Sequence, residues 1–283
     1  MQLLPKINFV TSLYVHIENL AVYHKWSSRS YPKHFTLSQT AIKYIRWYKK
    51  FRKAHFIDTL YEEAFVSDKL EDAFSKLHKL QHLQKTEKEN LVKIFLYFEK
   101  GYEKAWHENA DKLRSLKKSI PMWWKEKNKK VMKRLNYVAQ NFPRSVTVFL
   151  FWNPFEFKAT ALGKSSILIE TNFHFPEKFV FTTIPHELGH LMDISYGLNS
   201  LSMFRSRFGL KKGVILHEAV ISLLFPVKNL KGTPKGKGIN PITIEKSLVP
   251  ELTPIFKSSM SASDDYQTLL ARIISACGSK DLR

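Results

Sequence analysis

The sequence contains a single cysteine, Cys277, among its 283 residues. One thiol excludes an internal disulfide and any metal cluster built from several thiolates, and it is typical of a chain kept in a reducing compartment. The sequence also lacks an apolar run of the 18 or so residues that a membrane-spanning helix needs. Residues 1–8 do not have the basic start and apolar stretch of a signal peptide, which favours a cytoplasmic location.

Acidic residues are scarce relative to basic ones. The chain has 25 Asp and Glu against 45 Lys and Arg, which gives a formal net charge of +20. Such a charge favours anionic partners, either nucleic acid or another acidic surface. The alternative is a solvated, lysine-rich helix surface without a partner. Because no nucleic-acid-binding module is recognisable, any such binding is expected to use salt-dependent phosphate contacts rather than base reading.

A helical pattern dominates the first half of the chain. From residue 37 to about 141, apolar residues recur every three to four positions, which predicts a series of amphipathic helices. Gly101 and Pro121 are expected to break or kink these helices, because neither residue suits a helix interior. We therefore predict a mainly helical N-terminal region over residues 1–142.

Two segments in the second half have the composition of β-strands. Residues 145–152 and 165–171 are rich in β-branched and aromatic residues, and a turn signal precedes the second segment. This pattern predicts a second domain over residues 143–283, in which helices pack on a small mixed sheet. The whole chain is thus expected to belong to the α+β class.

Residues 186–190 read His-Glu-Leu-Gly-His, which is the pattern HExxH. On an α-helix, positions i and i+4 lie on one face, so His186 and His190 can hold one metal ion. Glu187 then lies beside that ion, where it can take a proton from a bound water. The apolar surroundings support this interpretation, because polar groups buried without partners would each cost about 1–3 kcal/mol.

The helix that carries this motif has recognisable ends. Thr182 or Thr183 is a candidate N-cap, and Gly197 is a good stop signal, so the helix is expected to end at Tyr196. Gly189 lowers helix stability in this position. We expect it to allow another backbone or a substrate to come close.

A catalytic zinc ion needs three protein ligands and one open position for water. Three downstream residues are candidates for the third ligand. Glu218 lies in the apolar segment 214–225, which is typical of a buried helix, where a carboxylate needs a metal or a cation. His217 is its neighbour, and only one of the two should face the metal because adjacent helical residues point about 100° apart. Asp193 is better placed to accept a hydrogen bond from a ligand imidazole.

The HELGH motif, together with Glu218 in a following helix that reads Leu-His-Glu-Ala, resembles the gluzincin group of zinc metallopeptidases. Those enzymes carry HExxH on one helix and a ligand glutamate on the next. The resemblance implies a zincin-like fold over residues 145–225 and hydrolysis of a peptide or protein substrate. It also implies a Zn²⁺ ion bound by His186, His190 and Glu218, with Glu187 as general base and later proton donor.

Glu218 lies 28 residues after His190, which predicts an inserted loop over residues 199–213. The sequence Pro-His-Glu-Leu at residues 185–188 also resembles SprT-like metalloproteins, in which the third ligand is a histidine. That resemblance implies His217 as a ligand and a DNA-associated protease whose basic surface recruits its substrate. A third interpretation is a non-catalytic protein that binds zinc or nucleic acid.

Further site residues are candidates by analogy with the same peptidases. In zincin-like folds the strand before the active-site helix is a sheet edge, so residues 167–171, with Ile169, are expected to bind a peptide as an added strand. The alternative is an ordinary core strand. Glu170 is a candidate for binding a substrate amino terminus, and Tyr266 is the candidate for stabilising an oxyanion. Other candidates for the oxyanion role are His174, Tyr196 and Arg205.

Overall fold

A computed structural model describes residues 1–23, 38–54, 60–152, 158–171, 177–226 and 248–278. The strands are β1 (Gln2–Lys6), β2 (Ser145–Trp152), β3 (Lys158–Leu162) and β4 (Ser166–Thr171). The helices are α1 (Phe9–Tyr23), α2 (Gln39–Ala54), α3 (Leu70–Lys79), α4 (Lys85–Val138), α5 (Glu177–Tyr196), α6 (Ser200–Leu224), α7 (Val249–Ser261) and α8 (Tyr266–Gly278). A π-helical turn, Tyr61–Phe65, precedes α3.

The described chain is mostly helical with one small mixed sheet, which confirms the α+β class. The sheet order is β1-β2-β4-β3, with β1, β2 and β4 parallel and β3 antiparallel to β4. Two of the strands, β2 and β4, match the predicted segments closely. The other two lie outside the predicted strands, and β1 joins the sheet from the very start of the predicted N-terminal region. Among the helices described, none is both long and apolar enough to cross a membrane.

The sheet separates two hydrophobic clusters. Neighbouring residues of a strand point to opposite faces. Val146, Val148 and Leu150 therefore pack with α5, α6 and the second half of α4. Phe149 and Phe151 pack on the other face with α1, α2, α3 and the first half of α4. The helix that carries HELGH and the first three helices, α1, α2 and α3, thus cover opposite faces of one sheet.

One helix, α4, runs through both clusters. It is 54 residues long and continues through Gly101 and Pro121, so of the predicted break or kink at these positions, the break is wrong. Pro121 removes one backbone hydrogen bond. However, Leu116 and Ile120 before it and Trp124 after it are buried in the same cluster. Tertiary packing on both sides of the proline outweighs its local preference.

The motif helix α5 ends at Tyr196, as predicted, but begins before the predicted N-cap. Thr182 and Thr183 lie inside the helix. Val180 and Ile184 are buried in the same cluster as the rest of α5, so the apolar face continues toward the N-terminus and favours a longer helix.

The next helix, α6, begins at Ser200, so the loop predicted over residues 199–213 is wrong. The segment is helical except at Gly209, where φ is 80° and ψ is 170°. Glycine adopts such a positive φ at little cost, and the helix changes direction there. The extra residues between His190 and Glu218 therefore form a first helical arm that folds back at Gly209.

Gly189 brings α5 close to the end of α6. A Cβ atom at this position would lie 2.5 Å from Phe225 Cδ2 and 3.1 Å from Ile221 Cγ2. The close approach expected at Gly189 is thus made by side chains rather than by another backbone. Because the contact lies between the two motif histidines, it also sets how closely α6 can approach them.

Substituting Gly189 with alanine is expected to destabilise the protein by a net of about 1–2 kcal/mol. The new methyl group displaces Phe225, and overpacking of this kind costs about 1–3 kcal/mol. The better helix propensity of alanine offsets at most about 1 kcal/mol of it. Urea unfolding followed by circular dichroism measures the change. The control is Gly278→Ala in α8, where an added Cβ meets no atom within 4 Å; equal midpoints for both variants would contradict the close packing.

Candidate metal centre

Two helices bring three potential metal ligands together. His186 and His190 lie one turn apart on α5, and Glu218 comes from α6. The Nε2 atoms of the two imidazoles are 3.0 Å apart. Glu218 Oε2 lies 3.5 Å from His186 Nε2 and 3.3 Å from His190 Nε2. These three side chains form a group that could hold a metal ion.

The separations fit tetrahedral coordination. Zinc–ligand bonds of about 2.0–2.1 Å in a tetrahedron place neighbouring donor atoms about 3.3 Å apart. The three observed separations are 3.0, 3.3 and 3.5 Å. The second nitrogen of each imidazole faces a partner, since His186 Nδ1 is 3.4 Å from Phe225 O and His190 Nδ1 is 2.7 Å from His217 Nε2. Two imidazole nitrogens and a carboxylate oxygen are donors that zinc accepts.

The charges of the group reinforce one another in a buried setting. Burial lowers the pKa of an imidazole, but the carboxylates of Glu218, Glu187 and Asp193 together outweigh this effect, and the pKa of His190 is raised. Burial likewise opposes ionisation of Glu218, yet His190 and His186 hold the pKa of this carboxyl well below its usual value. Glu218 is therefore present as a carboxylate, which is the form that binds a cation.

Glu187 lies beside the group without belonging to it. The side chain is buried, and this burial raises the pKa of its carboxyl, while His190 and His186 act in the opposite direction. The backbone N–H of Ala161 in β3 donates a hydrogen bond to the Glu187 carboxylate. The candidate acid–base residue is thus held between α5 and β3.

The strand beside the centre is β3. In the described sheet, β3 pairs with β4 on one side and is an edge strand, whereas β4 pairs with both β2 and β3. The prediction that residues 167–171 form the sheet edge is therefore wrong. The end of α5 also holds the β3–β4 turn, because Ser195 Oγ donates to Gly163 O at 3.1 Å and Tyr196 OH to Lys164 O at 2.8 Å.

The two predicted substrate-binding residues lie away from the centre. Ile169 is fully buried in the cluster that α5 shares. Its neighbour Glu170 points to the opposite face of the sheet, where Asn19 Nδ2 of α1 donates to Glu170 Oε2 at 2.6 Å. The structure does not bring either side chain to the metal ligands.

A chain of buried polar groups continues from His190. His190 Nδ1 is 2.7 Å from His217 Nε2, and His217 Nδ1 is 2.9 Å from Ser200 Oγ. Ser200 donates to Asp193 Oδ2 from Oγ at 3.0 Å and from its backbone N–H at 2.9 Å. Tyr266 OH donates to Asp193 Oδ1 at 2.8 Å. The five side chains connect α5, α6 and α8.

This series of hydrogen-bonded side chains contains three of the predicted site residues. His217 contacts a ligand imidazole rather than joining the three ligands, and burial lowers its pKa to about 3, so it is neutral. Asp193 Oδ2 lies 3.5 Å from His217 Nδ1, so it reaches His190 through His217, one residue further than expected. The hydroxyl of Tyr266, the candidate for the oxyanion role, is bound to Asp193.

The other candidates for the oxyanion role are also accounted for. His174 lies outside the described residues. Tyr196 OH is bound to a backbone oxygen of the β3–β4 turn. Arg205 is exposed on the first arm of α6.

Ser200 and Ala161 are among the contributors to the site that sequence reasoning missed. Ser200 carries a recognisable signal, since it follows the stop signal Gly197 and opens an apolar helix. Ala161 carries none, because its contribution is a backbone N–H.

Comparisons of the chain with models of protein families, with curated proteins and with solved structures found no match.

The purified protein is expected to bind about one zinc ion per chain, as the three-ligand group found among the described residues implies. Glu218→Ala removes a donor atom and is expected to lower zinc affinity by more than about 100-fold. Loss of a residue that only hydrogen-bonds to a metal ligand already lowers affinity by up to about 100-fold, and loss of the ligand itself should cost more. Glu187→Gln leaves the three donors intact and should retain the metal. Elemental analysis and competition with a chromogenic chelator measure both effects. Glu251→Ala, an exposed glutamate of α7, is the control, and a wild-type chain that takes up no zinc on reconstitution would refute the assignment.

Proposed function

We propose that this chain is a zinc-dependent peptidase whose catalytic part has a zincin-like fold. The observation that carries the proposal is the cluster of His186, His190 and Glu218 with Glu187 buried beside it. The three side chains would hold the ion and leave one coordination position open. A zinc ion there would lower the pKa of water and polarise the carbonyl of the scissile peptide bond.

Glu187 acts as the general base in this proposal. Its buried carboxyl has a raised pKa, which increases its affinity for a proton. It accepts the proton of the attacking water and later gives it to the nitrogen of the leaving amine. The hydrogen bond from Ala161 N–H holds the carboxylate beside β3.

The edge strand β3 is the proposed binding place for the peptide backbone. The N–H of Ala161 faces Glu187 and therefore points away from β4. In a strand, the N–H and C=O of one residue point to the same side, so the carbonyl of Ala161 also lies on this open edge. A substrate could add to the edge as an extra strand through main-chain hydrogen bonds. Its backbone would then run next to Glu187.

Glu187→Gln is expected to reduce peptide cleavage by about 10²- to 10⁴-fold, the usual contribution of a general base. Cleavage of a complex peptide library is followed by mass spectrometry, and kcat/KM is then measured on the best substrate. Removal of zinc with a chelator should abolish cleavage, and added zinc should restore it. The matched control is Glu251→Gln on the exposed face of α7.

The outcome separates the peptidase from a non-catalytic zinc protein. Loss of cleavage with unchanged zinc content supports a role of Glu187 in the reaction. If the wild type binds zinc but cleaves nothing in the library, or if Glu187→Gln remains fully active, the peptidase proposal is wrong.

The charge distribution along α4 supports a second property, the binding of nucleic acid. Residues 85–110 contain five basic and five acidic residues, whereas residues 111–136 contain ten basic and two acidic ones. Both segments belong to the same helix, so the balance of basic and acidic residues changes abruptly at the middle of α4. The basic half is the one that packs in the cluster shared with α5 and α6.

Part of this charge forms a row on the surface. The row consists of four exposed lysines: Lys118, Lys125, Lys129 and Lys133. At 100° and 1.5 Å per residue they lie within an arc of about 80° and span about 22 Å. A straight row of cations matches the regular spacing of phosphates along a duplex better than it matches a compact anion.

Replacing Lys125, Lys129 and Lys133 by glutamine is expected to weaken binding to a short DNA duplex. If each lysine neutralises one phosphate, the slope of log K against log salt should become shallower by up to about 3, since each contact contributes about 0.9. Fluorescence anisotropy at several salt concentrations measures both quantities.

The matched control makes the same change of charge in the balanced half of α4, at Lys93, Lys100 and Lys104. It should leave the slope close to that of the wild type. Equal effects of the two triple variants would show that binding is not located at the row, and a wild type without salt-dependent binding would refute the property.

A further inference from the structure

The two histidines of the motif are held by different partners. His186 Nδ1 faces a backbone oxygen, that of Phe225, at 3.4 Å. His190 Nδ1 faces the imidazole of His217 at 2.7 Å, and both rings are buried. A neutral imidazole has one donor nitrogen and one acceptor nitrogen. The direction of the His190–His217 hydrogen bond therefore decides which nitrogen of His190 is left to bind a metal.

That direction is set at the far end of the chain of polar groups. A carboxylate only accepts hydrogen bonds, and Ser200 donates both its N–H and its Oγ–H to Asp193. Since the hydroxyl proton is used, Ser200 Oγ accepts from His217 Nδ1. His217 Nε2 then has no proton and accepts from His190 Nδ1. In the neutral imidazole the lone pair of His190 is then on Nε2, the atom that faces Glu218 and His186.

We infer that His217 is a positioning residue of the metal centre, which holds His190 in the tautomer whose Nε2 binds the metal. The inference rests on the zinc site of the proposed function, but it does not require peptidase activity. Partners of a ligand imidazole are most often carboxylates, backbone carbonyls or waters. Here the imidazole of His217 takes that place. The direction of its hydrogen bond to His190 is set, through Ser200, by the buried Asp193.

The geometry of α6 allows this arrangement. His217 and Glu218 are neighbours on the helix and project about 100° apart. Glu218 reaches His190 at Nε2, and His217 reaches the same ring at Nδ1. One helix thus contacts both nitrogens of one imidazole, which fixes the orientation of the ring as well as its tautomer.

Two substitutions of His217 separate positioning from packing. Gln offers an amide oxygen that can accept from His190 Nδ1, whereas Leu fills similar space without an acceptor. His217→Leu is expected to lower zinc affinity about 10- to 100-fold, and His217→Gln by clearly less. Competition with a chromogenic chelator measures zinc affinity. In cobalt-substituted protein, the visible d–d absorption should be preserved in the Gln variant and altered in the Leu variant.

The wild type offers a test that needs no substitution. In zinc-loaded protein, ¹⁵N NMR of the imidazoles should show a proton on Nδ1 of both His190 and His217 and none on Nε2 of His217. A proton on His217 Nε2 would overturn the inference, because the hydrogen bond would then run in the opposite direction. Equal zinc affinities of the Leu and Gln variants would overturn it as well.

Failure of this inference and failure of the proposed function give different results. Neither zinc affinity nor the NMR tautomers depend on turnover. If the Leu and Gln variants differ as expected while no peptide is cleaved, the positioning role stands and the peptidase proposal falls. If the variants are equal while Glu187→Gln abolishes cleavage, the reverse holds.

Discussion

The contact between α5 and α6 satisfies polar side chains that neither helix could bury alone. Imidazoles and carboxylates in an apolar core are costly unless each finds a partner. On α5 these groups are His186 and His190, and on α6 they are His217 and Glu218, all within hydrogen-bonding or ionic reach of the opposite helix. A slip of one residue between the helices would leave several of them unsatisfied. The polar contacts therefore fix the register, and Gly189 permits the close approach that they require.

The sheet positions this helix pair relative to β3, the edge strand of the described sheet. Contacts of Glu187, Ser195 and Tyr196 with the β3–β4 hairpin run along α5, so that the helix and the edge strand form one unit. Helices α1, α2 and α3 and the first half of α4 pack on the other face of the sheet, so they contribute to the centre only through the support that they give to β2 and β4. The second half of α4 packs directly with α5 and α6.

Local physics explains which features could be predicted from the sequence. The HExxH spacing alone places His186 and His190 on one face of any helix, and the apolar surroundings of Glu218 marked it as a carboxylate in need of a partner. The strands β1 and β3 could not be predicted in the same way. Each has five residues, and each owes its conformation to pairing with a neighbour. The role of Tyr266 depends on a contact with a residue 73 positions away, which no local pattern encodes.

The directions of the hydrogen bonds that connect Asp193 to His190 do not depend on the metal. Asp193 receives three hydrogen bonds, from Ser200 N–H, Ser200 Oγ–H and Tyr266 OH. It also lies at the N-terminus of α6, where the helix dipole favours a negative charge. Burial raises the pKa of the Asp193 carboxyl, and these hydrogen bonds act against burial in favour of the carboxylate. The direction of every hydrogen bond from Asp193 to His190 therefore follows from the protein alone. His190 is oriented for coordination before an ion arrives, so less reorganisation accompanies binding than in a site whose imidazoles choose their tautomers on the metal.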